Sequence, residues 1–540
     1  MERVDLIPPP ADSVSAAEPG SAASVRGAAT AAGVLAARAD ALAAAPLLNC
    51  LLREVAERDP AQAEEEVAEA EREVAGPRSR RDARHTHRLP SGRLLRVRGA
   101  RRPAEPEVRL DGVWQRLDHR GLVGLVATEL RHHTGLTNSG LPAEMLDSRD
   151  AVAALLAARA RATPPEDPYL RSEQSLLTGH PHHPAPKTRG GGPPGAWLPY
   201  APEAYARFPL VLLGLREDTV VEDGDTAALD ALGEAPPGYR LLPAHPWQLD
   251  LARTALAPAF ADGRLIPLGT TSFDTWPTAA VRTLYAPERD LFLKFSLDVR
   301  ITNDIRRLWR HDLLKLRRTD EAAAHALAAY DGPAAWLSDR GYRTARFAFE
   351  ELAVMVRDGL HAHVTPGTTP LLAAGLVEGF EGSPLAGTAD PARWWEAYLA
   401  AVVPPALAAF ADHGVVLEAH LQNTLVAVDR AGLPVQALFR DAEGVKLLPG
   451  TERAAGWERL VYCLVVNHLT EVAAALAEHH PGLDPWPAAR RELARHDLPE
   501  VRALLAAPTL PGKTNLLLRW TGADGADARY LPLPNPLASK

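Results

Sequence analysis

The sequence predicts an α+β protein built from several subdomains, and three observations carry that expectation. At 540 residues the chain exceeds one ordinary core, so two to four domains or subdomains are expected. Alternating apolar runs at Leu94–Arg98, 107–110 and 113–117 have the period of a small antiparallel sheet. Ala/Leu-rich tracts before and after them read as helices, and helices dominate again from about residue 345.

Composition narrows the class. Hydrophobic residues make up 46% and charged residues 24%, as in a soluble globular protein. Lys+Arg number 59 against Asp+Glu 68, a net charge of −9, which argues against a nucleic-acid partner. Cys50 and Cys463 are too few for a disulfide framework or a Cys-rich metal site, and read as buried thiols in a reducing cytosol. The first residues lack a basic segment followed by an apolar run, so no signal peptide is expected. No apolar stretch reads as long enough to span a bilayer, so a cytoplasmic protein with no membrane partner is expected.

In chain order, residues 1–25 read as a loose tail rich in Pro, Ala, Ser and Gly. Residues 28–75 read as two helices closed by Gly76-Pro77, and the arginines of 78–84 as a solvated connector. Helix returns over 121–162. The apolar run 208–215 reads as a buried strand, 291–297 as a strand carrying Lys294, and 302–318 as a basic helix. From about residue 345 the chain reads as mostly helical apart from the hairpin 424–440. Residues 462–478 form an apolar-faced core helix, and 532–536 an extended tail.

Five polar clusters carry the candidate chemistry. Residues 179–192 hold His180, His182, His183, Lys187 and Arg189 among prolines and glycines. The prolines keep the backbone extended and leave no helical i, i+4 histidine pair, so the spacing does not support zinc. The functional reading is a rigid loop that presents His, Lys and Arg to an anion; the alternative is a Pro/Gly-rich surface loop. Residues 242–248 contain His245-Pro246-Trp247-Gln248, which alone is more often a packed corner than a site. Residues 269–284 set Ser272, Thr278 and Thr283 around Arg282, hydroxyls and a guanidinium suited to phosphate or carboxylate oxygens.

The fourth cluster begins with Lys294. A lysine in an apolar strand is costly to bury without a partner, and a phosphate is its natural one, as with the strand lysine of kinases. Thr302 is expected to open a helix whose N-terminus favours anions, with Arg306 one turn further on the same face. The alternative is a snorkelling edge-strand lysine and solvated arginines. The fifth cluster runs from Glu418, His420, Gln422 and Asn423 through a strand, the turn 429–432 and a second strand to Arg440, Asp441 and Glu443. This places His420, Asn423 and Asp441 near one end of a hairpin, an arrangement that suits a Mg-nucleotide. The alternative is a surface hairpin with polar ends. No GxxxxGK[ST] or GxGxxG run offers another nucleotide site.

The ordered set Gly-His-Pro…Pro-Lys-x-Arg at 179–189, His-Pro-Trp-Gln at 245–248, Arg-Thr at 282–283, Lys294, Ile-Thr-x-x-Ile-Arg at 301–306, Glu-x-His-x-Gln-Asn at 418–423 and Arg-Asp at 440–441 resembles the NRPS-independent siderophore synthetases, the aerobactin-synthetase (IucA/IucC) family, over roughly residues 120–530. The resemblance implies a cupped-hand fold of fingers, palm and thumb. Its palm is distantly kinase-like with an antiparallel sheet, and its thumb is mostly helical. Residues 1–160 would be the N-terminal fingers region, 161–345 fingers and palm, and 346–540 the palm hairpin and helical, FhuF-like thumb.

It also implies a reaction. ATP and Mg²⁺ activate a carboxylate of citrate or a related polycarboxylate as an acyl-adenylate. An amine, hydroxylamine or alcohol then attacks to give an amide or ester in siderophore or related natural-product biosynthesis. Carried over, His420, Arg306 and Lys294 are the catalytic candidates. Arg282, Thr283, Lys294, Thr302, Gln422, Asn423, Asp441, His180 and Lys187 would meet ATP and its phosphates. Arg306, Thr302, His420, His182 and Arg189 would meet the carboxylate, and Glu418, Asp441 and Asn423 the metal. A homodimer is implied as well. Beside an extra His in the 179–189 motif and an insertion-like Gly/Pro run at 190–194, one departure from the family pattern matters: Ala280 stands where Ser is usual, and the loss of one neutral hydrogen bond costs on the order of 0.5–1.5 kcal/mol. Ser272 or Thr278 are the candidates to replace that hydroxyl.

Two rivals share these residues. A kinase-like small-molecule phosphotransferase would use the same hairpin, but the kinase aspartate after the histidine is missing and Gln422 is no base. A degenerate, non-catalytic carboxylate-binding relative has Ala280 as its only support.

Overall fold

The computed structural model describes residues 22–59, 84–523 and 530–538, with side chains from residue 33 onward. The tail expected over 1–25 and the second helix, Gly76-Pro77 and arginine connector expected within 60–83 lie outside the described residues, apart from the ends of those spans. The α+β expectation holds: helices and mainly antiparallel sheets alternate along the chain.

A five-stranded antiparallel sheet runs in chain order through Glu57–Arg58, Arg84–Arg88, Leu94–Arg98, Ala104–Leu110 and Val113–Arg116. Its inward residues Leu95, Val97 and Val108 share a core with Leu47, Leu48 and Leu51 of helix Ala22–Glu54 and with Leu516 and Trp520 near the C-terminus. Alternation along these strands is what makes one face apolar. The helix expected over 121–162 is two helices, His119–Thr134 and Gly140–Arg159, separated where Gly135 turns left-handed at φ 72°.

The centre is a six-stranded antiparallel sheet in the order Trp276–Pro277, Thr283–Ala286, Leu291–Phe295, Val354–Asp358, Asp339–Ala345, Val220–Gly224. All five residues of Leu291–Phe295 are buried, and Lys294 pairs with Thr283 on one side and Met355 on the other. A three-stranded sheet, with Val211–Arg216 between Tyr239–Ala244 and Leu265–Thr270, shares its core. The expected 424–440 hairpin forms as Thr424–Val428 and Pro434–Arg440. It sits within a four-stranded sheet whose pairing with Ala334–Leu337 is parallel and with Thr369–Leu372 antiparallel. The largest core lies beyond it, around helix Pro391–His413 and the helical run Arg453–His479.

Three sequence expectations are corrected. Residues 302–318 are not one helix. Leu297–Ile301 and Asp304–Arg306 form a hairpin turned by Thr302 at φ 61°, and helix begins only at Arg310–Leu313 and Leu316–Ala328. The alternation Leu297, Val299, Ile301 has strand period, and that pattern outweighs the cap-like Thr302. The region beyond 345 is not helix interrupted by one hairpin: Val354–Asp358 and Thr369–Leu372 complete the sheets just described, and the supposed tail at 532–536 contributes to strand Tyr530–Pro534, paired with Thr509–Lys513. Finally, Gly33–Glu54, Pro391–His413 and Arg453–His479 are long and apolar enough to cross a membrane by length and composition, contrary to expectation. More than half of each apolar window packs inside the protein, so these stretches supply core faces here.

Candidate active site

Strand ends and turns from several elements converge on two adjoining cavities. The smaller, about 80 Å³, is lined by Thr278, Arg282, Thr283, Lys294, Asn423 and Asp441 among others. The larger, about 220 Å³, is lined by His180, Lys187, Arg189, Thr302 and His420 among others. Arg306 and Gln422 line both. Of the residues singled out in the sequence, these lie together; His182 and Glu418 line neither.

Lys294 is 3% exposed and its Nζ donates to Asp441 Oδ1 and Glu443 Oε2, both at 2.5 Å. Arg357, on the neighbouring strand, pairs with Asp339 at 2.7 Å and reaches Asp441 at 3.4 Å. Burial alone would raise the Asp441 pKa, but Lys294 and Arg357 outweigh it and hold its carboxyl well below the usual range. Arg282 donates to the carbonyls of Arg306 and Arg307 at 3.1 and 2.8 Å and to Glu443 at 3.2 Å, which binds the 297–306 hairpin to this end of the sheet. Arg357 and Asp339 were not among the sequence candidates, and Glu443 was named in the fifth cluster without an assigned role. Glu443 stood beside Asp441 in the motif, whereas Arg357 and Asp339 sit on strands with no local signal.

Arg306 reaches Thr302 as expected, but by hairpin rather than helical geometry: its Nη2 donates to Ile301 O at 2.7 Å and Thr302 Oγ1 at 2.6 Å. Burial, then the neighbouring Arg282, lowers its pKa to about 10. No helix N-terminus stands at Thr302. Val281 (φ 65°), Thr302 (φ 61°) and Asp441 (φ 86°) all hold left-handed backbone around the cavities, a conformation β-branched residues adopt only under constraint.

A buried network holds the remaining wall. Glu173 accepts from Arg440 Nη1 at 2.7 Å, from Tyr169 Oη at 2.9 Å and from the Ala279 amide at 3.0 Å, while Arg440 also donates to Gln422 O at 2.9 Å. Gln422 Nε2 donates to Ala279 O at 3.3 Å, and its backbone N–H donates to His420 Nδ1 at 3.2 Å. Half-buried His420 therefore faces the cavity from a fixed turn. Glu418 lies 3.9 Å from His420 but is held by Arg459 at 2.7 Å and by Asn423 Nδ2 at 3.4 Å. A Cβ on Gly444 would stand 2.0 Å from Glu418 Oε2, so only glycine leaves that carboxylate its place. Burial and Arg459 lower the pKa of nearby Lys513, which the sequence reading did not single out.

The proline-rich loop divides. Lys187 and Arg189 share buried Glu203, at 2.5 and 2.8 Å, and their two charges overcome burial to bring its pKa down to about 2. Burial lowers the pKa of Lys187, and burial with the neighbouring histidines lowers that of His180. His182 turns away to Glu471 at 2.9 Å and Arg53 at 2.7 Å. His183 bonds Asn303 at 3.1 Å, which bonds Asn515 at 3.0 Å, so the loop is fastened to the 297–306 hairpin and the C-terminal helix. His245 is a packed corner: its Nδ1 caps helix Pro246–Ala261 among Tyr200, Phe208 and Phe295.

Ala280 lines the smaller cavity. Of the two candidate replacements, Thr278 lines it too but donates its hydroxyl to Thr283 O at 2.9 Å, and Ser272 is exposed in a separate groove. Among the described residues no group of three or more His, Cys, Asp or Glu forms a metal cluster. Asp441 and Asn423 do supply oxygen donors to one cavity, which fits Mg²⁺, an ion that is usually held by one or two carboxylates plus substrate phosphates.

The profile of the IucA / IucC family matches residues 168–378, and that of the ferric iron reductase FhuF-like transporter family matches 392–528. The rhizobactin siderophore biosynthesis protein RhbC of Rhizobium meliloti is 30% identical over 445 residues, 68% of this chain and 75% of that protein. The L-2,3-diaminopropanoate–citrate ligase of Staphylococcus aureus is 29% identical over 444 residues, 69% of this chain and 75% of the relative. In fold, the chain matches the ATP-bound aerobactin synthetase IucA of Klebsiella pneumoniae with a TM-score of 0.75 at 22% identity, covering 92% of this chain and 100% of the other.

Proposed function

The chain belongs to the IucA / IucC family, and from that premise we propose that it is an ATP-dependent ligase of siderophore biosynthesis that joins a carboxylate of citrate to an amine. The observation that carries this reading is the convergence of Arg282, Lys294, Arg306 and Asp441 on one cleft that opens beside His420. The relatives bearing ligase and synthase names support the chemistry.

The finer mechanism is acyl transfer through an adenylate. Lys294 and Arg282 neutralise the phosphates of the ATP substrate, which displaces their present hold on Asp441 and Glu443. Arg306, with Thr302, holds the citrate carboxylate in line with the α-phosphorus, and alignment of this kind supplies much of the rate. His420 and Gln422 stand at the reacting carbonyl. Asp441 and Asn423 would hold Mg²⁺, which offsets phosphate charge when bound; Glu418 orients Asn423 rather than meeting the ion directly. The carboxylate oxygen attacks the α-phosphorus and pyrophosphate leaves; the amine then attacks the carbonyl carbon, AMP leaves with the C–O electron pair, and the amine loses its proton. Lys187 and Arg189, held by Glu203, keep one net positive charge at the far wall for a polycarboxylate.

The reading includes the kinase-like palm of a cupped hand, the division at 1–160, 161–345 and 346–540, and a cytoplasmic homodimer, all resting on family membership. Citrate, ATP and hydroxylamine are expected to give a hydroxamate with AMP and pyrophosphate. Formation of ADP would overturn the adenylation step.

A further inference from the structure

The larger cavity has an end that the adenylation chemistry leaves unused. There, none of the lining residues Asn49, Arg101, Arg102, Val377 and Glu378 has a part in the adenylation step. Arg101 and Arg102 sit in the loop between strands Leu94–Arg98 and Ala104–Leu110, and Asn49 Nδ2 ties that loop to Pro181 of the proline-rich loop by donating to Arg101 O and Pro181 O, both at 3.1 Å.

The two arginines differ in what remains to them. Arg101 is satisfied, with Nε and Nη2 on Glu478 and Nη1 toward Val377 O. The hydrogen bonds that Arg102 makes among the described residues are both from Nη2, to Val377 O at 3.2 Å and Glu378 O at 3.0 Å. Its nearest carboxylate oxygen, Glu378 Oε2, is 3.6 Å away, beyond hydrogen-bond length. Burial lowers the Arg102 pKa and Glu378 offsets this only in part. Arg306, which lines the same cavity, has the same signature among the described residues: Nη2 alone bonded and too little counter-charge. A guanidinium with an unused edge in a cavity matches a carboxylate. Glu378 is half-used as well, with Oε1 accepting from the Thr178 amide and hydroxyl at 2.9 Å each.

We propose, on the footing of the ligase reading above, that this end is the subsite of the attacking amine, and that the amine belongs to a diamino acid whose α-carboxylate Arg102 takes and whose α-ammonium Glu378 takes. The second, uncharged amine reaches the activated carbonyl. Its nitrogen forms the C–N bond, the C–O bond to AMP breaks with its electron pair, and the amine proton leaves to solvent. One cation beside one anion matches a zwitterion. A plain diamine or polyamine can offer Glu378 an ammonium but brings no carboxylate for Arg102 and sets a further positive charge near it, so the subsite discriminates by chemical class.

The test uses the full chain with citrate and ATP and compares L-2,3-diaminopropanoate and L-ornithine with ethylenediamine and putrescine, their decarboxylated counterparts. The amino acids are expected to exceed the diamines in kcat/KM by about ten- to a hundredfold, the range of a charge-assisted hydrogen bond. Arg102→Gln is expected to collapse that ratio and Arg102→Lys to restore part of it. Equal or better use of the diamines by the wild-type protein, which needs no variant to fold, would overturn the proposal, as would an unchanged ratio in Arg102→Gln. Citrate-dependent ATP–pyrophosphate exchange, which needs no amine, separates the two readings: if it persists while the panel fails, only the subsite is wrong, and if it is absent both fall.

Discussion

Lys294 Nζ and Asp441 Oδ1 stand 2.5 Å apart, joining the buried centre of the six-stranded sheet to the end of a hairpin about 150 residues later in the chain. A buried ammonium costs several kcal/mol unless paired, so this contact both holds the site together and reserves a cation for phosphate. Lys294→Met is expected to lower citrate-dependent ATP–pyrophosphate exchange by about a hundredfold or more, the usual effect of losing one charge-stabilising donor. His420→Ala and Asp441→Ala are expected to reduce it strongly as well. Wild-type exchange rates in all three variants would place the active site elsewhere.

Glu203 carries the pH dependence most directly. Its carboxyl titrates at 4.5 in the ordinary state and at about 2 in the fold, where Lys187 and Arg189 hold it ionised. A depressed carboxyl contributes stability that is present above pH 4.5 and is lost as pH falls towards about 2, because the unfolded chain binds the proton first. Glu203→Gln removes that part of the acid limb and strands two buried cations, at a cost of about 3–5 kcal/mol near neutrality. Urea unfolding of both proteins between neutral and acid pH checks the sign and the size.

Thr302 trades stability against function. Its left-handed φ of 61° costs a β-branched residue about 1–3 kcal/mol. Its hydroxyl, though, is where Arg306 is held. Thr302→Gly is therefore expected to raise unfolding stability while raising the KM for citrate. A variant that is both less stable and fully active would contradict this account.

Gly444 gives a steric test. An added Cβ meets Glu418 Oε2 at 2.0 Å, and that carboxylate is the flexible end of a side chain, so the fold should tolerate the change. Glu418 then leaves Arg459 and Asn423. Gly444→Ala is expected to keep its thermal midpoint within a few degrees, in keeping with a change of about 1 kcal/mol or less, while pyrophosphate exchange falls. A large loss of stability with normal exchange would reverse the argument.

The chain by itself determined the chemical inventory. The apolar run around Lys294, the hairpin 424–440 and the ordered polar motifs were legible because each depends on neighbours in sequence, where short apolar runs bounded by turn residues leave a direct trace. The tertiary structure decided which of those residues meet. It turned Thr302 from a helix start into a hairpin turn, took His182 to Glu471 and Glu418 to Arg459, and brought in Arg357 and Asp339 from strands, Glu173 from the end of helix Pro168–Glu173 and Arg102 from a loop, none with a motif of its own. Partners of this kind are fixed by the desolvation of charge across packed sheets, a constraint that links residues hundreds of positions apart and so has no local signature.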